Sequence, residues 1–394
     1  MPTAPSRPLF LLAALFAPLG VIAPKVVVPL LALAASWMII HRLRSGQLWR
    51  PFRSSAAIPA AAIIVWALAS AFWALDPQAA LITVAKLAAV LLSTLLLVDG
   101  IRDISREDHE PLRRALIGAF AIAAILLVSE SLSGAAAHKW FYEFQGRKDQ
   151  FDETVLNRAE AMLFMMAWTT ALVVWQLKGG LWGFAPILAA IISIGIGVSN
   201  SSALAMALSL ICLPFAHYFG VWFLRGLAVL VFLSMLAAPL LPGTYLSPDR
   251  WSGQFGEHQY SALHRLHIWE FTAERIAEAP ILGWGMDASR RIPGGDTKLA
   301  GGGNVMSVHP HNASLQIWLE LGAIGAVLAA MALAALFWRA STLKERYQRA
   351  AAAGLLVSAL ALAHLSFGIW QTWWMAALAL NGAMFAMALQ LKGK

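Results

Sequence analysis

Charged residues are scarce in this sequence, and cysteine is almost absent. Aspartate, glutamate, lysine and arginine make up only 13% of the 394 residues, whereas 59% of the residues are hydrophobic. So little charge cannot cover the surface of a water-soluble domain of this length. The composition therefore excludes an ordinary soluble globular protein and predicts that a lipid bilayer is the solvent.

The single cysteine, Cys212, lies within a hydrophobic run. One cysteine excludes an intramolecular disulfide framework and a thiolate-rich metal site, so we interpret Cys212 as a small buried apolar residue. The formal net charge is +8, but the basic residues are scattered and form no recognisable nucleic-acid-binding module. A nucleic-acid partner is therefore not expected.

Hydrophobic segments recur along the whole chain. A transmembrane helix needs about 20 mostly apolar residues, because the hydrocarbon layer is roughly 30 Å thick and every backbone amide must be bonded within the segment. The candidate segments are 8–23, 26–40, 58–75, 79–98, 116–132, 159–177, 181–198, 203–219, 221–241, 313–338, 350–367 and 369–389. We interpret the first as a retained helix, because Pro24 and Lys25 lead directly into the second. The expected fold is an all-α polytopic membrane protein with about 12 transmembrane helices.

Basic residues cluster in three loops of the same parity. These loops contain Arg42, Arg44, Arg50 and Arg53, then Arg102, Arg106, Arg113 and Arg114, then Arg339, Lys344, Arg346 and Arg349. Positively charged loops stay in the cytoplasm, which predicts a multi-pass protein of the bacterial inner membrane with both termini, including Lys392 and Lys394, in the cytoplasm. One membrane domain is expected, with helices 1–9 in 1–241, a periplasmic loop in 242–312 and helices 10–12 in 313–394.

Three tryptophans lie at the predicted turn between the last two segments, namely Trp370, Trp373 and Trp374. Tryptophan is enriched where a membrane meets water. We therefore expect these residues to be interfacial anchors and not ligand contacts.

The large loop contains a predicted helix followed by a glycine-rich stretch. Apolar residues recur at three- and four-residue spacing over 261–279, Ser261 is expected to cap this helix, and Pro280 ends it. The glycines that follow are Gly283, Gly285, Gly294, Gly295, Gly301, Gly302 and Gly303. Such a loop can bend closely around a bound group or move as a lid.

A specific motif stands where this loop meets the next segment. His311 and Asn312 are followed after nine residues by Gly322, and after two more by Gly325. This string resembles the signature of the O-antigen ligase family, whose members share a membrane fold with O-antigen polymerases. Its position at the end of a large periplasmic loop is also similar to that family.

Two further stretches carry the same resemblance. The first comprises Arg265 and Trp269 in the predicted loop helix, followed by the Pro-x-x-Gly-x-Gly sequence of 280–285, which look like a motif of the family. The second is 156–158, which resembles an arginine-bearing segment of the family and places that arginine at Arg158. The motif-bearing resemblance covers about 261–325.

The resemblance implies a C-type glycosyltransferase-like fold and a reaction at the periplasmic face. A glycan would pass from an undecaprenyl diphosphate donor to a sugar hydroxyl of a lipid A-core acceptor, among membrane lipids. Transfer would invert the anomeric centre in a single displacement, with no metal and no cofactor.

A diphosphate leaving group concentrates negative charge, so a metal-free site needs fixed cations. Lys86, Arg158 and Arg265 are the candidates. Lys86 lies seven residues into the fourth segment, roughly 10 Å along a helix, where an ammonium group needs an anionic partner. The alternatives are snorkelling for Lys86, an interfacial anchor or a bridge to Glu160 for Arg158, and a surface position for Arg265.

An acceptor hydroxyl must lose its proton as it attacks, which suits a neutral histidine with a pKa of about 6.5. By the resemblance, His311 is this base. The alternative is a histidine at a helix start that bonds to loop backbone. His309, Asn312 and Trp269 are secondary candidates for the site.

No metal site is predicted. The histidines around the loop helix are His258, His264 and His267, and the loop carboxylates are Asp249, Asp287 and Asp296. Neither group has the spacing of a ligand set, so we interpret them as solvated helix-face and loop residues. The basic residues Arg147, Lys148, Arg290, Arg291 and Lys298 would attract an acidic acceptor, or are simply solvated loop charges.

Other functions remain open from the sequence. An O-antigen polymerase would use a similar fold and donor, and a protein O-glycosyltransferase would differ only in its acceptor. The ligase-like His311-Asn312 string favours a ligase. A lipid or polysaccharide transporter could also have a dozen helices and an intramembrane charge such as Lys86, but no inverted repeat is evident.

Overall fold

The computed structural model describes residues 6–197, 199–251, 260–299 and 302–391. The α-helices are α1 (Arg7–Ile22), α2 (Val27–Arg44), α3 (Ala57–Ser70), α4 (Pro77–Ile101), α5 (His109–Leu132), α6 (Ala136–Phe144), α7 (Leu156–Lys178), α8 (Ala185–Ile196), α9 (Asn200–Tyr218), α10 (Gly220–Ala237), α11 (Pro248–Trp251), α12 (Tyr260–Glu278), α13 (Ala313–Ser341), α14 (Arg346–Leu365) and α15 (Thr372–Gln390). Within the described ranges, β geometry is limited to an isolated bridge between Lys298 and Asn304.

Nine helices in the described part of the chain are long and apolar enough to cross a membrane. The three remaining predicted segments form shorter apolar helices, namely Arg7–Ile22, Ala57–Ser70 and Gly180–Ile196. The prediction of an all-α polytopic membrane protein is thereby confirmed. The count of about twelve spans stays a prediction for the three shorter helices.

Helix α7 forms the centre of the bundle. Every residue from Ala159 to Val173 is buried, which explains why this helix is mostly apolar around its whole circumference. Trp168 donates from Nε1 to Ser358 Oγ of α14 at 2.9 Å. The same indole ring packs against Gly354, where a larger side chain would collide with it.

The three basic loops meet at one end of the bundle. Arg42 is only 2% exposed, and its guanidinium lies 2.6 Å from Asp99 and 2.5 Å from Asp103. Arg339 donates to Ser55 Oγ at 2.8 Å. The large loop lies at the other end, because α13 runs from that loop towards Arg339. The three basic loops therefore lie at the same end of the bundle, as expected. Which end faces the cytoplasm stays a prediction.

The large loop docks onto a break in α13. The helix is interrupted at Gly322, which has φ 63° and ψ −166°, and the backbone of Gly283, with φ 70°, packs directly against it. Three backbone hydrogen bonds join the two segments, from Trp284 N to Leu319 O (2.8 Å), from Gly285 N to Glu320 O (2.9 Å) and from Ala323 N to Pro280 O (2.9 Å). The glycine motif of the loop, with Gly283, thus packs against the glycine motif of α13, with Gly322.

Helix α12 follows the predicted loop helix closely, since it spans Tyr260–Glu278. Ser261 lies within the helix and does not cap it, so that detail of the prediction is wrong. After the helix, the indole Nε1 of Trp284 donates to the carbonyl of Arg275 at 2.8 Å. This bond turns the chain back from α12 towards α13.

We expect Gly322→Ala to destabilise the protein. A Cβ at this position would collide with the backbone of Ile281, and a backbone with φ 63° and ψ −166° lies in a region that essentially only glycine adopts, at a cost on the order of 1–3 kcal/mol for other residues. The thermal unfolding midpoint in detergent should therefore fall. Gly382→Ala is the matched control, because a Cβ there meets nothing within 4 Å, and its midpoint should not fall. Equal midpoints for both variants would contradict the docking contact.

Candidate active site

His311 stands between the large loop and the first turn of α13. Its Nδ1 lies 2.8 Å from the carbonyl oxygen of Ser366, and because a carbonyl can only accept, Nδ1 carries the proton. Nε2 is then the unprotonated nitrogen and is available as a hydrogen-bond acceptor. The backbone of His311 has φ 53°, a strained conformation of the kind found at functional sites.

His309 packs against His311 and bonds to its backbone. It is 7% exposed, its Nδ1 accepts from the backbone N–H of His311 at 3.1 Å, and the two ring centroids are 4.1 Å apart. Its other ring nitrogen lies 3.2 Å from the side-chain amide nitrogen of Gln371. Gly368 lets the ring sit close, because a Cβ there would be 2.7 Å from it.

Both histidines are kept neutral by their surroundings. Burial lowers the pKa of His309 to about 3, and electrostatic interactions with His311, Arg290 and Arg265 act in the same direction. Burial also lowers the pKa of His311; its hydrogen bond to the carbonyl of Ser366 opposes this shift, while electrostatic interactions with Arg265 and His264 add to it. At neutral pH the free Nε2 of His311 can therefore accept a proton.

Helix α12 brings Arg265 to these histidines. The charge of Arg265 acts on both rings, and burial lowers the pKa of its guanidinium. One turn later, Trp269 donates from Nε1 to the carbonyl of Pro310 at 2.9 Å. This bond fixes α12 beside the loop that carries His309 and His311, so Trp269 has a structural role within the site.

Asn312 begins α13. Its Oδ1 accepts from the backbone N–H of Leu315 at 3.1 Å, which is the usual bond of an N-cap. The motif residue next to His311 therefore fixes the start of the helix.

Arg158, another predicted cation, is linked to the histidines through neighbouring side chains. Arg158 lies 5.6 Å from the ring centroid of Trp373, and Trp373 donates to Gln371 at 2.9 Å. Gln371 in turn contacts His309. Arg158 is therefore connected to the histidines through two side chains.

Lys86 is exposed on α4 and acts electrostatically on the carboxyl of Asp287. Helix α4 begins at Pro77, two residues before the predicted start, so Lys86 lies about 14 Å along it. Burial raises the pKa of Asp287, while the charges of Arg290, Lys86 and Arg291 oppose that shift. The interpretation of Asp287 as a plain loop residue was incomplete, because it faces the cations of the site.

Trp373 and Trp374, in the first turn of α15, are not lipid-facing anchors, since they are only 6% and 0% exposed. Their burial inside the bundle contradicts the prediction of an interfacial belt for these two residues. Trp370, in the turn before α15, is half-buried and donates from Nε1 to the carboxylate of Glu320 at 2.7 Å. Its expected interfacial position stays a prediction.

Sequence reasoning missed Ser366, Gln371 and Glu320. Ser366 and Gln371 have no local signal, because their roles depend on a turn that is 55 or more residues away from His311 and His309. Glu320 did have a signal, since a carboxylate within a hydrophobic span is rare and usually functional.

The described residues contain no group of three or more histidine, cysteine, aspartate and glutamate side chains that could bind a metal ion. His264 instead contacts the carbonyl of Asn304 at 2.8 Å. His258 lies outside the described residues.

The fold and this site define a helical membrane protein in which the charge of a loop-helix arginine acts on two histidines at the end of a spanning helix. Residues 185–330 match the family model described as O-antigen ligase. Three relatives from Rickettsia bear the provisional name polysaccharide ligase. The motifs identified in the sequence fall largely within the matched region, whereas Lys86 and Arg158 lie outside it.

The relatives are similar to this chain to different extents. The protein from Rickettsia conorii is 33% identical over 36% of this chain and 38% of its own length. Those from Rickettsia typhi and Rickettsia prowazekii are 25% and 26% identical over 79% and 78% of this chain, and over 75% of their own length. The match over residues 185–330 and the names of these relatives confirm the resemblance to the O-antigen ligase family that the motifs carry.

We expect His309 to make the stability of the protein pH-dependent. In the unfolded chain it binds a proton near pH 6.5, whereas in the fold its pKa is about 3. Its stabilising contribution is therefore present above pH 6.5 and is lost progressively as the pH falls towards 3. His309→Asn retains an acceptor for the His311 N–H but cannot titrate. Its unfolding midpoint should fall less between pH 7 and about pH 4.5 than that of the wild type.

The control for this measurement is His217→Asn, a histidine substitution on α9. It should show the pH dependence of the wild type. If His309→Asn and the wild type lose stability in parallel over this range, the pKa assigned to His309 is wrong.

Proposed function

We propose that the protein is an O-antigen ligase, which transfers a glycan from undecaprenyl diphosphate to a sugar hydroxyl of the lipid A-core. The observation that supports this most directly is the environment of His311. Its Nδ1 is engaged by the Ser366 carbonyl at 2.8 Å, and the positive charge of Arg265 acts on the ring. The charge of a cation thus acts on the candidate base, and glycan transfer from a diphosphate requires both kinds of group.

In the proposed reaction, the acceptor hydroxyl attacks the anomeric carbon of the donor glycan. Nε2 of His311 takes the hydroxyl proton as the new carbon–oxygen bond forms. The bond from the anomeric carbon to the diphosphate oxygen breaks, and its electron pair leaves with undecaprenyl diphosphate. A single displacement of this kind inverts the anomeric configuration, and one base is enough because diphosphate leaves without protonation.

The cations would bind the diphosphate in place of a metal ion. Arg265 is the first candidate, because a partly buried guanidinium stabilises developing charge more strongly than an exposed one. Arg158, over the ring of Trp373, and Lys86, which faces Asp287, would contribute further positive charge.

We further propose that the site faces the periplasm and that both termini are cytoplasmic in the inner membrane. The clustering of the basic loops at the end of the bundle away from His311 supports this orientation. A lipid A-core acceptor would then reach the site from the outer leaflet.

The same residues would also serve an O-antigen polymerase or a protein O-glycosyltransferase, which differ in the acceptor. The name of the Rickettsia relatives favours a ligase. A transporter would need no free histidine nitrogen beside an arginine, so the site favours an enzyme over that class.

His311→Gln should abolish transfer while the protein stays folded. Glutamine is of similar size but cannot take the hydroxyl proton, and a general base contributes about 10²–10⁴-fold to the rate. The measurement is the acceptor-dependent release of undecaprenyl diphosphate by protein in nanodiscs with purified donor and lipid A-core. His267→Gln on α12 is the control and should remain active.

The acceptor used in this assay separates the alternatives. Transfer only to a second lipid-linked glycan would indicate a polymerase, and transfer only to a protein would indicate a protein O-glycosyltransferase. Movement of the donor across the bilayer without bond cleavage would indicate a transporter. Full transfer by His311→Gln would show that the assigned base is wrong.

Arg265→Ala should lower kcat/KM about 100-fold, since the leaving group loses a fixed cation. Arg275→Ala is the matched control because it removes the same charge from the same helix. Arg275 is bonded to Glu278 at 2.8 Å, and its variant should keep the wild-type kcat/KM. Equal losses in both variants would mean that the charge of α12 acts generally and that Arg265 has no special part.

A further inference from the structure

A buried carboxylate joins three segments around the site. Glu320 lies in α13, two residues before the break, and is 0% exposed. Oε1 accepts from Ser289 Oγ (2.5 Å) and Gln316 Nε2 (3.1 Å), and Oε2 accepts from the backbone N–H of Asp287 (2.6 Å) and Trp370 Nε1 (2.7 Å). Each carboxylate oxygen therefore receives two hydrogen bonds.

The four donors to Glu320 are a hydroxyl, an amide, a backbone N–H and an indole, all of them neutral. Removing a carboxylate from water is costly, and only a complete set of hydrogen bonds offsets that cost. A leucine would fill the same space without this requirement. A carboxylate at this point of a hydrophobic helix therefore indicates a role beyond packing.

The turn between α14 and α15 is fixed by Glu320 at two points. Trp370 donates to the carboxylate directly. Gln316, which also donates to it, accepts from the backbone N–H of Ile369 at 3.0 Å. The position of this turn relative to α13 thus depends on one side chain.

The same turn supplies the partners of both histidines. The carbonyl of Ser366 receives the Nδ1 proton of His311, and Gln371 contacts His309. Since the Ser366 carbonyl selects which nitrogen of His311 is free, a shift of the turn would change the orientation and the tautomer of the base.

Glu320 also fixes the loop that faces the turn. Its bonds to the backbone of Asp287 and to the hydroxyl of Ser289 hold the short helix Ala288–Arg290 against α13. The charge of Arg290 acts on His309, and the charge of Lys86 acts on Asp287. Hydrogen bonds thus link Glu320 to the loop that carries Arg290 and to the turn whose Ser366 carbonyl bonds to His311.

We infer that Glu320 is a positioning residue for the transfer reaction, holding the turn that orients His311 and the loop that carries Arg290 in register. The inference rests on the proposed function of the site. Glu320 acts through its neighbours and not on the reacting atoms. Because a misplacement of about 1 Å in an active site can lower the rate about 100-fold, its loss should reduce turnover more than substrate binding.

Glu320→Gln tests this inference. Glutamine fills the same space, but its NH₂ group would face two hydrogen-bond donors. The two hydrogen bonds on that side of Glu320 would therefore be lost. We expect kcat to fall about 10–100-fold, with KM for donor and acceptor within about threefold of the wild type. If Glu320 only filled space, the variant would keep the wild-type kcat.

Glu130→Gln is the matched control. Glu130 is also a buried carboxylate, 6% exposed, and it accepts from His138 Nδ1 of α6 at 2.7 Å. Its variant should keep kcat even if its unfolding midpoint falls. All variants are assayed well below their unfolding midpoints, so that an unfolded fraction does not lower kcat. An equal loss of kcat in both variants would show that the effect is not specific to Glu320 and would overturn the inference.

Trp370→Phe provides a second test that does not depend on the folding of a Glu320 variant. It removes one indole donor and keeps the ring, so kcat should fall several-fold with KM unchanged. A wild-type protein without transfer activity would overturn the proposed function together with this inference. An active wild type, an inactive His311→Gln and an unchanged kcat in Glu320→Gln and Trp370→Phe would overturn this inference alone.

Discussion

The backbone contact between the large loop and the break in α13 is the interaction on which the rest of the site depends. An interrupted helix leaves carbonyl groups without partners, and such groups are costly inside a membrane. The loop satisfies the carbonyls of Leu319 and Glu320, and Trp66 satisfies that of Leu321 at 2.9 Å. The loop must therefore stay docked, and its position determines where α12 and the histidine motif lie.

The electrostatics of the site follow from this docking. Covering the end of α13 with a loop removes water from the two histidines, and burial then keeps them neutral while the adjacent Arg265 remains charged. In water, screening would weaken the effect of the cation on the rings and on a bound anion. The same closure thus supplies both properties that the proposed transfer requires.

The membrane class, the order of the helices and the loop helix could be predicted from the sequence because each depends on local periodicity and length. His311 and Arg265 could be identified because they stand in recognisable motifs. Ser366 and Gln371 could not be assigned roles, since their partners lie 55 and 62 residues away along the chain. Trp373 and Trp374 were wrongly predicted to be interfacial anchors. The position of a residue in a hydrophobic segment indicates its depth in the bilayer, but not whether its side chain faces lipid or protein.

The buried helix α7 also constrains how substrates can arrive. Its side chains from Ala159 to Val173 are enclosed by neighbours, so protein fills this part of the bundle. A lipid-linked substrate of the proposed reaction would then approach sideways, out of the bilayer itself. Encounters between donor and acceptor would be confined to two dimensions, so their density in the leaflet, and not their amount per volume of cell, would set the rate of supply.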